Sequence, residues 1–213
     1  MPGAQGLERL VEGRLTSELA ALGFTRRGAT FVARHHDVAW LLAPERTPWS
    51  TPGRVVFSMV WAVQVPGLRR VLGDHTPPGP PVLGWVGQDG GALQPRWFRL
   101  GPTTVPGLGE LRLARAAGEV RHHVEVHALP RLQAFPDSGA VQQHLVADLD
   151  HRGTAPSPGE VAAIRRVAAI SVLRGRHDNA LRWLDHLEAR SARVTPPDLV
   201  AERLAPLRRR LAA

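Results

Sequence analysis

Apolar residues recur at helical spacing along Leu7, Leu10, Val11, Leu15, Leu19 and Leu22, so the chain opens with an amphipathic helix. Gly23 follows that run. It can take the left-handed conformation that ends a helix, which would fold Phe24 back onto Leu19. The period then changes to two. Ala29, Phe31 and Ala33 alternate with Thr30, Val32 and Arg34, a strand pattern. His35, His36 and Asp37 make the polar break of a hairpin, and Val38 to Leu42 returns as a second strand. Val55, Phe57, Met59, Trp61 and Val63 share one face of a third strand, whose other face carries Arg54, Val56, Ser58, Val60 and Ala62. Apolar residues on both faces predict a strand in the middle of its sheet.

Further on, Gly67 to Leu72 reads as a turn or short helix. Gly73 to Pro95 is a long irregular stretch containing Thr76-Pro77-Pro78-Gly79-Pro80-Pro81, with a short strand predicted at Val82 to Val86. Arg96 to Leu100 is predicted as another strand. A short helix is expected around Ala140 to Ala147, then a linker from His151 to Pro156. Ser157-Pro158-Gly159-Glu160 is a capping box with Pro at the first helical position, and Val161, Ile164, Ala168 and Val172 form the buried stripe of the helix it opens. Gly175 stops that helix. Asn179 to Ala189 forms a second, with Leu181, Leu184 and Leu187, and Thr195-Pro196-Pro197-Asp198 opens a third, with Val200, Leu204, Leu207 and Leu211. The segment from Ala168 to Leu184 resembles a single tetratricopeptide-type hairpin, without a second copy.

Several of these pieces fall in a recognisable order. Leu22-Gly23-Phe24, Arg26-Arg27, Gly28, Thr30-Phe31, a hairpin, a Pro/Ser/Trp loop and a Phe-containing strand together resemble the bacterial domain of unknown function 4304 family. Arg96-Trp97-Phe98 resembles that family's Trp-rich strand, and Leu129-Pro130-Arg131-Leu132 its Leu-Pro-aromatic-Leu segment, so the resemblance covers residues 8–135. The chain departs from the pattern at Ala43, Pro44 and Glu45, where members often carry Gln and Ser. It departs again at Val60, Trp61 and Ala62, where they often carry Asn-x-Gly. The resemblance implies an architecture and no chemistry. It also bears on residues 110–128, where Val120, Val124 and Ala128 fit a helix face while the β-branched residues favour a strand. It implies the helix.

The expected fold class is therefore α+β: an N-terminal helix, an antiparallel sheet of about four or five strands covered by helices, and an all-helical C-terminal extension. The expected organisation is a domain over 1–135, a linker with a short helix over 136–156, and a helical region over 157–213.

Composition changes this picture less than its charge suggests. The net charge of +8 points to nucleic acid, but all 27 basic residues are Arg and none is Lys. Tyr is absent, Asn179 is the single Asn, and Ile164 and Ile170 are the two Ile. These rare residues share AT-rich codons, so a GC-rich genome accounts for the arginines without selection for binding. With no Cys there is no disulfide, no thiolate metal site and no Cys nucleophile. The opening MPGAQGLERL has no basic-then-apolar signal pattern, and no run of about 18 apolar residues exists to span a membrane. The expected location is the cytoplasm.

Candidate chemistry is sparse. Glu119, His123 and His127 are spaced to share one face of a helix, and two His four apart can share a metal, but the Glu of a His-Glu-x-x-His signature is missing. His35 and His36 fall in a turn, and His177, Asp178, Asp185 and His186 on the solvent face of a helix. No Gly-x-Ser-x-Gly elbow and no phosphate loop is present; Gly87-Gln88-Asp89-Gly90-Gly91 is turn chemistry. Arg165-Arg166 and Arg208-Arg209-Arg210 are basic clusters with no aromatic stacking platform beside them. What stands out is Trp49 in a Pro/Thr/Ser loop with Arg46 nearby, and Trp97 beside Arg96, because Trp and Arg are over-represented at binding hot spots. The reading preferred is a non-enzymatic protein-interaction or regulatory module with no cofactor, using Arg46, Trp49 and Trp97. A metal-dependent enzyme using Glu119, His123 and His127, and a nucleic-acid binder using the C-terminal arginines, are its rivals.

Overall fold

The computed structural model describes residues 2–51, 54–73, 79–86, 96–101, 108–150 and 158–191, together with Ala205, Arg208, Arg209 and Leu211. The chain divides into two units. The first takes in Met1–His35, Ala39–Val63 and Val82–Pro136, the second His36–Val38, Gln64–Pro81 and Asp137–Ala213.

Helix α1 opens the first unit as Pro2–Arg9, a π-helical turn Leu10–Leu15, and Thr16–Ala20. The Thr16 hydroxyl donates to the Val11 carbonyl at 2.6 Å, five residues back across that wide turn. The helix ends as its sequence predicts. Gly23 has φ 85°, its N–H donates to the Ala20 carbonyl at 3.0 Å, and the Phe24 N–H donates to the Leu19 carbonyl at 3.1 Å. This is the Schellman pattern, and it buries Phe24 with Leu19.

The sheet is antiparallel and contains β1 (Thr25–Arg27), β2 (Thr30–His35), β3 (Val38–Arg46), β4 (Val55–Gln64), β5 (Val82–Val86) and β6 (Phe98–Leu100). Its order is β1-β2-β3-β4-β5, with β6 also paired to β4. The strand absent from the periodicity is β1, whose three residues are all exposed and which is defined only by pairing with β2. Between β2 and β3 the chain turns at His36, where φ is 44°. The expectation for β4 holds. It has β3 on one edge and, on the other, β5 opposite Met59 to Val63 and β6 opposite Val55 to Phe57, end to end. Helix α2 (Leu68–Leu72) lies between β4 and β5 in the sequence.

Residues 110–128 are helical. Helix α3 runs as Leu108–His123, a π-helical turn Val124–Ala128, and Leu129–Gln133. Pro130 has no N–H to offer the carbonyl four residues back, and its ring crowds that turn. The π-helical turn ahead of it absorbs the misfit. Leu113, Ala116, Ala117, Val120, Val124 and Ala128 are buried. They pack the helix onto the π-helical turn of α1, onto β6 and onto β5. Burial of this face outweighs the local strand preference of its valines.

In the second unit, α5 (Pro158–Leu173) packs on α2, on α4 (Ser138–Asp150) and on α6 (His177–Ser191). Packing on three helices buries more than the expected stripe. Ala163, Ile164, Val167, Ala168, Ala169, Ile170 and Ser171 are all buried, while Val161 and Val172 are only half-buried. Gly175, at φ 69°, ends α5 with a second Schellman pattern, the Arg176 N–H donating to the Ser171 carbonyl at 2.8 Å. On α6, Leu184 and Leu187 are buried as expected, but Leu181 is exposed and Ala180 takes the inner position. The expected 151–156 linker, Ser157 of the capping box, most of the third C-terminal helix, and residues 74–78 and 87–95 of the long irregular stretch lie outside the described residues.

Two carboxylates cap α4. Asp137 accepts from the Ala140 N–H at 2.9 Å, and Asp37 accepts from both the backbone N–H (2.8 Å) and the hydroxyl of Ser138. Arg174 donates to the Ser138 hydroxyl at 3.1 Å. Gly139 leaves room for this guanidinium, since a Cβ there would lie 2.8 Å from Arg174 Nη1. Partial burial pushes the Asp37 carboxyl up, but the Ser138 hydrogen bonds, its own backbone and Arg174 outweigh it, and the net pKa lies below the usual 3.8.

Gly23→Ala and Gly175→Ala should each destabilise the protein by about 1 kcal/mol, because both replace a left-handed glycine; urea unfolding curves measure this. Because the native Asp37 carboxyl binds its proton less readily than the unfolded one, its stabilisation is full above 3.8 and drains as pH falls through the native value. Asp37→Asn should flatten the acid limb of the stability profile, which unfolding midpoints across that range would show.

Candidate functional site: an arginine-lined groove

The hairpin that carries Trp49 is pinned at its base. The Thr47 N–H donates to the Val56 carbonyl at 2.9 Å, Ser50 exchanges two hydrogen bonds with the Val56 backbone through its hydroxyl, and Thr51 bridges Arg54. This holds Trp49 out of the core at 63% exposure, with its ring edge-on to Trp97 at 5.2 Å between centroids. The structure therefore brings together two of the three residues expected to meet a partner. The third, Arg46, is exposed at the end of β3 and makes no hydrogen bond or ion pair among the described residues.

Beside Trp97 lies a groove of about 640 Å³ between the β6 segment and α3, lined by Arg96, Trp97, Arg99, Leu100, Gly101, Arg112, Arg115, Ala116 and Glu119. Each element delivers its arginines by its own periodicity. On β6, Phe98 and Leu100 are buried and Arg99 between them is exposed. On α3, Arg112, Arg115 and Glu119 are three and four apart, on one face of a helix that buries Leu113, Ala117 and Val120 on another, with Ala116 between the two. Glu119 pairs with Arg96 at 3.0 Å. Among the described residues no carboxylate pairs with Arg99 or Arg115. The described lining offers guanidinium donors and one carboxylate, with no hydroxyl, thiol or imidazole. A lining of this kind is chemically suited to anions.

The alternative metal set does not converge. Glu119 is turned to Arg96, and the His123 and His127 rings stack nearly parallel, 5.4 Å apart at 20°. Among the described residues no group of three His, Cys, Asp or Glu is placed to hold a metal ion. His123 instead packs edge-on to Phe98 at 5.7 Å. Burial lowers its pKa below the ordinary 6.5, and the coulombic influence of Arg96, His127 and His122 acts the same way against that of Glu119. Of the C-terminal arginines that the alternative reading would use, Arg209 is exposed. Arg208 pairs with Asp185 and Glu188, Arg165 is buried, Arg166 donates to the Gly79 carbonyl, and Arg210 lies outside the described residues.

Sequence reasoning passed over Arg99, Arg112 and Arg115. The signals were an Arg between two apolar strand residues, and two Arg and a Glu at helical spacing, but a chain with so many arginines makes each pattern look like background. Among the described residues no helix is long and apolar enough to cross a membrane. Comparison of the chain with known protein families, with curated proteins and with solved structures returned no match.

With its native pKa depressed, His123 takes up a proton more readily when unfolded, so its contribution to stability is intact above 6.5 and falls as pH drops below it. Unfolding midpoints taken from about pH 8 down to about pH 5 should fall more steeply for the wild type than for His123→Leu.

Proposed function

We propose that the first unit is a non-enzymatic protein-interaction module, and that the arginine groove with Trp49 and Trp97 at its rim meets an acidic surface of its partner. One observation carries this: four arginines line a single concavity, with one carboxylate residue among its described lining. Arg9 and Arg121, by contrast, pair within the fold, Arg9 with Glu110 and Arg121 with Glu18 and Glu125. The adjoining tryptophans supply the rigid apolar area that interface cores use, and an excess of one charge sign favours encounter with the opposite sign. Kinship with the domain of unknown function 4304 family, and a cytoplasmic setting, are part of the same proposal. The order of motifs from Leu22-Gly23-Phe24 to Leu129-Pro130-Arg131-Leu132 supports the first, and the lack of Cys the second.

Tagged full-length protein, recovered from its native cells after nuclease treatment, should bring down one stoichiometric protein. Trp49→Ala, and separately the double variant Arg99→Glu/Arg115→Glu, should each lose it. A partner retained by both variants, or no protein partner at all, overturns the reading.

A further inference from the structure

The groove supports a narrower chemical assignment, which rests on reading this surface as a binding face. We infer that it is a phosphoryl-group site, in which Arg99 of β6 and Arg115 of α3 take a phosphate monoester dianion, with Arg112 alongside.

Charge balance favours a dianion. Glu119 is already shared with Arg96 at 3.0 Å, so the one carboxylate in the described lining is engaged. Arginine keeps its proton at any ordinary pH, so the groove cannot relieve its own repulsion by titration. One carboxylate ligand would neutralise a single guanidinium. A phosphate monoester brings close to two negative charges and three acceptor oxygens, which match forked donors arriving from two sides.

Preorganisation points the same way. The two arginine-bearing elements are held by cores of their own. Phe98 and Leu100 anchor the strand, with Phe98 stacked on Phe57 at 5.4 Å between centroids, and the buried face of α3 anchors the helix. Gly101 and Ala116 line the floor with little side-chain bulk, and Arg112 lies against Gly101, its Nη1 3.8 Å from where a Cβ would sit. The backbones that carry the arginines therefore stay in place without a ligand, so binding need order only their side chains. The described lining has no hydroxyl or imidazole to accept or activate the group, which makes this a site of recognition and not of transfer.

The test is calorimetric titration of the purified full-length protein at low salt with three probes: phenyl phosphate, a phosphoserine peptide, and the same peptide with glutamate at that position. Both phosphorylated probes should bind saturably, and the glutamate peptide at least about tenfold more weakly, as expected for fewer charge-assisted hydrogen bonds. Arg99→Gln/Arg115→Gln should abolish binding of the phosphorylated probes. Arg115→Lys should retain part of it, since it keeps the charge and loses the fork. Both positions are exposed, and an unchanged unfolding midpoint will show that the variants fold. A phosphopeptide much tighter than phenyl phosphate identifies a phosphorylated protein as the source, and equal affinities a small phosphorylated compound; either supports the site. Equal binding of the glutamate peptide, no saturable binding of any probe, or binding that survives the double variant overturns it. If the phosphorylated probes fail while partner capture still depends on Arg99 and Arg115, only this assignment falls. If they bind while capture ignores the groove, only the protein-interaction reading falls.

Discussion

Strand β4 places apolar side chains on both of its faces, and a strand of that kind has to be paired along both edges as well as covered. Much of the first unit follows from meeting that demand. One edge goes to β3. The other is shared by two short strands, β5 and β6, laid end to end. The register that puts Phe98 opposite Phe57 stacks their rings, and the same ring carries His123 edge-on. In this way the pairing of β4 sets where α3 crosses the sheet. Because β6 alternates, the register that buries Phe98 and Leu100 also settles where Arg99 stands.

The groove is a consequence of two hydrophobic cores and not of attraction between its own members. Four guanidinium groups lining one concavity repel each other, and the surface ion pair of Arg96 with Glu119 returns little of that. They remain together because the apolar faces of β6 and α3 dictate where the opposite faces point. This is the usual way a protein stores binding potential: the fold bears the cost of holding like charges together, and a ligand of opposite charge relieves it. Trp49 belongs to the same logic. Its hairpin is fixed by Ser50 and Val56, so the ring can stay exposed beside Trp97.

The second unit is organised around burial of one helix. Small residues let α5 meet neighbours on several sides, and Ser171 goes inside with a partner from α4. Gln142 donates to the Ser171 hydroxyl and to the Val167 carbonyl, and Ser171 in turn donates to the Val167 carbonyl. At the start of α4, Asp37, Ser138 and Arg174 close the first turn by charge-assisted hydrogen bonds between residues far apart in sequence.

Properties that depend on neighbours in the chain were legible from the residues alone. Gly23 and Gly175 end helices because only a residue without a Cβ takes their φ readily. The alternation from Val55 to Val63 marked a central strand, and the helical spacing from Leu7 to Leu22 marked α1. Properties that depend on partners distant in sequence were not. Thr25 to Arg27 is a strand only because β2 pairs with it, Val120 and Val124 of α3 are helical because their face is buried, and the inner surface of α5 is wider than one stripe because three helices pack on it. The candidate site divides in the same way. Trp49 and Trp97 could be chosen by residue type, whereas the convergence of Arg99 with Arg112 and Arg115 exists only once β6 has docked beside α3. Local rules give each arginine its face, but which faces meet is decided by long-range packing, and no spacing along the chain encodes that directly.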